Sequence, residues 1–210
     1  MPDDPAATDP PAQGTAEDAL RPPSDASDDA ALARPELDAH DRARGAAMIG
    51  RPLRGRVAAA ARCAWGLPAV LRVDPALEDG TPFPTTFWLA CPLANKACAQ
   101  LESDGVMAGL TERLAHDPEL ADALARAHER YVALRDRLGP PVPGDPSAGG
   151  MPGRVKCLHA LYAHHLATGD NPIGAWVAQR VVPMPCAGPC VTVDDEARDD
   201  EPVTEREEQP

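Results

Sequence analysis

The sequence predicts an α+β domain: a small antiparallel sheet of about three strands, then a cluster of about three to four helices, with disordered termini. Three observations predict it. Short apolar runs separated by turn residues crowd residues 54–91, which suits strands joined by short links in a meander. Helical periodicity takes over after Lys96. The charge is also uneven. The 210-residue chain has a formal net charge of -13, yet residues 1–36 and 194–210 each hold nine acidic and two basic side chains, which leaves fifteen acidic and sixteen basic between them. Both ends are poor in large apolar side chains and cannot offset the entropy of ordering. The expected organisation is an acidic tail over 1–36, one domain over 37–193 and a second acidic tail over 194–210.

Taken in order, Ala39 to Ile49 suits a short helix that ends near Gly50 and Pro52. Arg54 to Ala61 reads as a first strand, weakened by its alanines. Gly66-Leu67-Pro68 marks a turn, and Ala69 to Val73 is a second strand. Asp74-Pro75 and Asp79-Gly80 bracket a loop, after which Thr85 to Cys91 is the best strand in the chain. Lys96 to Ala115 is helical in composition, with an interruption at Asp104-Gly105. Asp117 caps the next helix and Pro118 sits in its first turn, where a missing N–H costs nothing. Leu120, Leu124, Ala127, Tyr131, Leu134 and Leu138 then form one apolar stripe. Gly139-Pro140-Pro141 stops it, and a last helix is expected over Pro152 to Ala167.

The composition also excludes some classes. The N-terminus is acidic with no apolar run behind it, so no secretory signal is visible. Nothing approaches the ~20 apolar residues that cross a bilayer. A cytoplasmic setting is therefore expected, in which thiols stay reduced and six cysteines are free or metal-bound rather than paired. A nearly neutral domain in a chain with 3% aromatic residues gives little support to nucleic-acid binding.

Two segments point to chemistry. In Ser147-Ala148-Gly149-Gly150-Met151-Pro152-Gly153-Arg154-Val155-Lys156 a glycine-rich loop leads into an expected helix start. Free N–H groups and the helix dipole there favour an anion, and Arg154 and Lys156 add charge. Gly149, Gly150, Arg154 and Lys156 are the candidate anion ligands. The ending of a P-loop is absent, and a flexible loop with two solvated cations fits the same residues.

The second segment set is the cysteines. No Cys-x-x-Cys pair occurs among Cys63, Cys91, Cys98, Cys157, Cys186 and Cys190. In a meander the first and third strands run the same way, which sets Cys63 and Cys91 at one sheet edge. Their strands are ~10 Å apart, a better match to an iron–sulfur cluster than to a single ion. On the last helix Cys157 and His159 are about 200° apart, so mixed ligation is disfavoured. Cys63, Cys91, Cys157 and Cys190, one from each of four segments, are the candidate ligands for iron–sulfur or zinc. Small buried apolar side chains are the alternative role for the same thiols.

Several of these stretches together resemble a family catalogued as actinobacterial domain-of-unknown-function 501. They are Arg62-Cys63 with Gly66-Leu67-Pro68, Asp79 to Thr85 through Leu89-Ala90-Cys91-Pro92, and Leu101 to Met107. Gly149 to Pro152, Val155 to His159 with Ala163-His164, Asn171-Pro172 and Gly188-Pro189-Cys190 complete the set. The resemblance covers about residues 40–193 and implies an intracellular actinobacterial protein, with no activity to carry over. Cys63, Cys91, Cys157 and Cys190 fall inside matching stretches, while Cys98 and Cys186 depart from the pattern.

The leading expectation is thus a metal- or cluster-binding domain with an anion pocket at its last helix. A second is an enzyme on a small phosphorylated or carboxylated substrate, with Arg154 and Lys156 holding the anion and His159 or His164 moving protons. A third is a metal-free interaction module.

Overall fold

Alternating short strands and tight turns build the centre of the molecule. The computed structural model describes residues 20–144, 148–181 and 186–193. Strands β1 (Val57–Arg62), β2 (Pro68–Val73) and β3 (Phe87–Leu89) form one antiparallel sheet in the order β1-β2-β3. Val57 pairs with Val73 and Arg62 with Pro68, with a register shift around Ala61, while Val70 pairs with Leu89. All six residues of β2 are buried, as a central strand covered on both faces requires. The alanines that weakened β1 as a sequence signal are themselves buried, from Ala58 to Ala61. Small side chains there let neighbouring elements approach closely.

β1 and β3 are shorter than expected, each for a local reason, while β2 gains Pro68. Gly55, at φ +73°, turns the chain before β1, and Arg42 donates to the carbonyls of Leu53 and Gly55. Before β3, the Thr86 amide donates to the Tyr131 hydroxyl at 2.6 Å. After it, Pro92 opens a helix.

The helices are α1 (Asp28–Ala33), α2 (Ala39–Ile49), α3 (Pro92–Ser103), α4 (Val106–His116), α5 (Pro118–Leu138), α6 (Leu158–Thr168) and α7 (Pro172–Val181). That makes seven among the described residues, more than the three to four expected. α2 has the expected bounds, and Gly105 at φ +78° separates α3 from α4 where an interruption was expected. Asp117 caps α5 by accepting from the Leu120 amide at 3.1 Å. Leu124, Ala127, Tyr131 and Leu134 of its stripe are buried. α6 is the central helix, with Leu158, Leu161, Tyr162, Ala163, His164, Leu166 and Ala167 all buried. α7 crosses it closely: a Cβ on Gly174 would stand 2.3 Å from the Leu161 carbonyl oxygen.

Two expectations need correction. The last stretch before Ala167 is not helical from Pro152. α6 starts at Leu158, because Gly149 and Gly150 turn at positive φ and their carbonyls take the amides of Lys156, Cys157 and Arg154. The first tail also differs, since residues 20–36 are ordered against the domain. Leu20 is buried, Ser27 caps α1, and Glu36 bridges to Ala58. The buried Arg72 guanidinium donates to the carbonyls of Ala31 and Leu32 at 2.9 and 2.6 Å, which ties down the end of α1. Residues 1–19 and 194–210 of the expected tails lie outside the described residues. No helix among the described residues is long and apolar enough to cross a membrane.

Candidate functional site

A pocket of about 1130 Å³ opens where the end of α2, β3, the start of α3 and the loop before α6 converge. Gly149, Gly150, Arg154 and Lys156 all line it. They are joined by Arg51 and His159, and by the apolar side chains of Met48, Ile49 and Trp88. Arg51 is held over the Trp88 ring, 4.4 Å from its centroid. Among the described residues, no Asp or Glu lines this pocket, in a chain whose formal net charge is -13.

The glycines act differently from expectation. The amides of Lys156 and Cys157 donate to the Gly149 carbonyl at 2.7 and 3.2 Å, and that of Arg154 to Gly150 at 3.2 Å. The Val155 amide donates to Thr111 Oγ1 at 3.0 Å. Leu158, the first residue of α6, gives its N–H to Glu102 Oε1 at 2.7 Å. The positive end of α6 therefore already faces a carboxylate, and these loop amides are spent on protein acceptors. What the glycines supply is shape. A Cβ on Gly149 would meet Leu161 Cγ at 2.7 Å, and one on Gly150 would meet Lys156 Cβ at 2.8 Å. The tight loop sets Arg154 and Lys156 on the wall of the cavity.

Beside the loop, α3 and α6 bring Glu102, Cys157 and His159 together. His159 Nδ1 donates to Glu102 Oε1 at 3.1 Å and lies 4.0 Å from the Cys157 sulfur, while Nε2 donates to the Asn95 carbonyl at 3.1 Å. The contact with Cys157, and then the Glu102 carboxylate, push the His159 pKa up to about 9 against the downward pull of burial. The ring is thus an imidazolium near neutral pH, a further positive group on the pocket wall. The nearest donor atoms of Glu102, Cys157 and His159 lie within 4.8 Å of one another. The ~200° separation expected of Cys157 and His159 holds only within a helix, whereas Cys157 is the extended N-cap of α6. Glu102 and Arg51 were missed by the sequence reading. Glu102 stood inside the stretch Leu101 to Met107 that carried the resemblance.

The structure divides the four candidate metal ligands. Cys157 lines the large pocket. Cys63, Cys91 and Cys190 line a second, small cavity of about 20 Å³, together with Cys186, which had been set aside. Burial pushes the Cys91 thiol up, the amides of Ala94 and Leu93 oppose this, and the proximity of Cys190 and Cys63 adds to the rise. Cys98 is fully buried, and burial followed by the Glu102 charge raises its pKa to about 12, so it packs as a neutral thiol.

His164 is not a proton carrier for the pocket. It is fully buried and stacks on Phe87 with ring centroids 5.7 Å apart. Its Nδ1 accepts from Asn171 Nδ2 at 3.1 Å, and burial lowers its pKa to about 3, with Arg130 and His165 adding to the fall. It remains neutral across the ordinary pH range.

Residues 59–179, more than half of the chain, match the family model described as "Protein of unknown function (DUF501)". No curated protein and no solved structure matches the chain. The matched residues include the loop before α6, Glu102, Cys63, Cys91 and Cys157, while Cys186 and Cys190 lie beyond them.

Proposed function

The chain belongs to the DUF501 family, and from its large pocket we propose that it binds a small anionic ligand, a phosphate ester or a carboxylic acid with an apolar part. One observation carries this reading: Arg51, Arg154, Lys156 and His159 share a pocket that no described acidic residue lines. Met48, Ile49 and Trp88 give the other half of the wall an apolar character, which suits a ligand with a flat or hydrocarbon portion. A cytoplasmic setting belongs to the same proposal, since six unpaired cysteines fit a reducing compartment.

Titration of the full chain with inorganic pyrophosphate, followed by tryptophan fluorescence, tests it, because Trp88 lies on the pocket wall. Saturable binding is expected. Arg154→Ala or Lys156→Ala should each weaken it about 10- to 100-fold, the ~1.5–3 kcal/mol of a hydrogen bond to a charged group. Unchanged affinity in both variants would refute the reading.

A second reading rests on Glu102, Cys157 and His159, whose donor atoms lie within 4.8 Å of one another. A divalent ion such as zinc held by these three would keep a coordination position open toward the pocket, the arrangement of hydrolytic metal sites. The domain would then act on its anion as an enzyme. Zinc retained by wild-type protein and lost in His159→Gln would favour this reading.

A further inference from the structure

We propose that Cys63, Cys91, Cys186 and Cys190 form a thiolate-ligated metal centre separate from the anion pocket. The proposal stands on a different cavity and does not depend on the pocket binding an anion.

Three distant parts of the chain deliver these sulfurs to one place. Cys63 ends the β1 side of the first hairpin, where its amide donates to the Leu67 carbonyl at 3.0 Å and its carbonyl accepts from Gly66 at 2.9 Å. Cys91 is the N-cap of α3, and its amide donates to the Ala69 carbonyl at 3.2 Å. Cys186 and Cys190 lie on the strap that follows α7, with Gly188-Pro189 between them. The strap is held over the hairpin by Trp65 Nε1, which donates to the Cys186 carbonyl at 3.3 Å. Val191 packs on the core just beyond it.

The remaining walls of the cavity are Leu20, Met48, Leu67 and Leu93. Among the described residues, no carboxylate, histidine or cation lines it. Four thiols in an otherwise apolar enclosure select a soft, thiophilic metal over magnesium or calcium, which take oxygen ligands. Core packing alone gives no reason to gather four of six cysteines from three segments around one void.

Each metal asks something of the strap. Around one zinc at ~2.3 Å, tetrahedral sulfurs stand roughly 3.8 Å apart. Here, no three of the four sulfurs meet within 4.8 Å of one another. A cavity of about 20 Å³ is smaller than the sulfide core of an iron–sulfur cluster, so a cluster would need the strap to move outward. A single zinc would need the strap to close further.

The test is the metal content of the full chain, purified without oxygen and, in parallel, refilled with ferrous iron and sulfide or with zinc alone. Iron with matching sulfide and a visible chromophore bleached by dithionite identifies a cluster. One zinc per chain without colour identifies the same ligands closed on one ion. Cys63→Ser, Cys91→Ser and Cys190→Ser should reduce either metal to background, while Cys98→Ala and Cys157→Ser keep it. Cys190 is exposed, so its serine variant should fold even without metal and report on ligation alone. A folded wild-type chain that takes up neither metal under any of these conditions overturns the proposal. So does metal retained in Cys190→Ser but lost in Cys157→Ser, or isolation of the four thiols as disulfides.

Discussion

The two cavities share Met48 as a wall, and Cys91 and Pro92 are consecutive residues that line one each. They are nonetheless opposite in character. The large pocket is open and cationic, and half of its lining comes from one stretch, Ala148 to Ala160, laid against β3 and the ends of α2 and α3. The small cavity is apolar and lined by cysteines from three segments, with Met48 and Leu20 of the N-terminal stretch completing its wall. One region depends on a local loop geometry, the other on long-range tertiary closure. Damage should therefore travel differently from each.

The largest expected effect strikes both regions alike. Leu124, fully buried on α5, lies in the common core, and Leu124→Ala should cost ~2–5 kcal/mol. Denaturant melts read at the two sites should then shift together, and a loss below about 0.5 kcal/mol would place that helix face outside the core. Next, removal of residues 1–36 separates the regions. It strips Leu20 from the thiol cavity, ~1.5–3 kcal/mol of apolar burial. It also leaves the buried Arg72 guanidinium without three carbonyl acceptors, a further ~1–3 kcal/mol. Thiol labelling of Cys91 should accelerate markedly while pyrophosphate affinity changes little. Equal disturbance of both would show that the pocket also leans on the N-terminal stretch.

Gly149→Ala attacks the other side. It places a Cβ 2.7 Å from Leu161 Cγ at a position with φ +65°. The backbone strain alone is ~1–2 kcal/mol. Anion affinity should fall while the labelling rate of Cys91 holds.

The smallest effect is on pH. Because the His159 pKa is raised from 6.5 to about 9, its contribution to stability is fully present below pH 6.5 and is lost as pH rises to about 9. Loss of the imidazolium charge as pH passes through about 9 should weaken anion binding. His159→Gln should flatten both profiles, which parallel melting and binding series at stepped pH would show.

The same contrast explains what the sequence made legible. α2, the α3–α4 break and the capped, striped α5 were readable because their signals are local: an N-cap, a glycine at positive φ, a repeat of apolar positions. That Gly149, Gly150, Arg154 and Lys156 belong together was readable for the same reason, as neighbours in one stretch that line one pocket. The late start of α6 was not readable, because the amides of Arg154 to Leu158 are taken by partners, two of them, Thr111 and Glu102, far away in sequence. α1 was hidden under an acidic composition, since what orders it is Arg72, some forty residues on. α7 was overlooked in a short apolar stretch after Asn171-Pro172. The thiol cavity was the hardest to read. Spacing along the chain offered six cysteines and no rule for choosing among them, and closure of the strap by Trp65 is what brings Cys186 beside Cys63, while the loop before α6 sets Cys157 in the large pocket.

The most direct test of an anion site built on the loop before α6 is an amide and indole chemical-shift map of the full chain titrated with inorganic pyrophosphate. The account predicts saturable shifts concentrated at Gly149, Gly150, Arg154, Lys156 and the Trp88 indole, with residues 186–193 unmoved. Shifts that leave the loop silent, or that scatter over surface arginines without saturating, would contradict it.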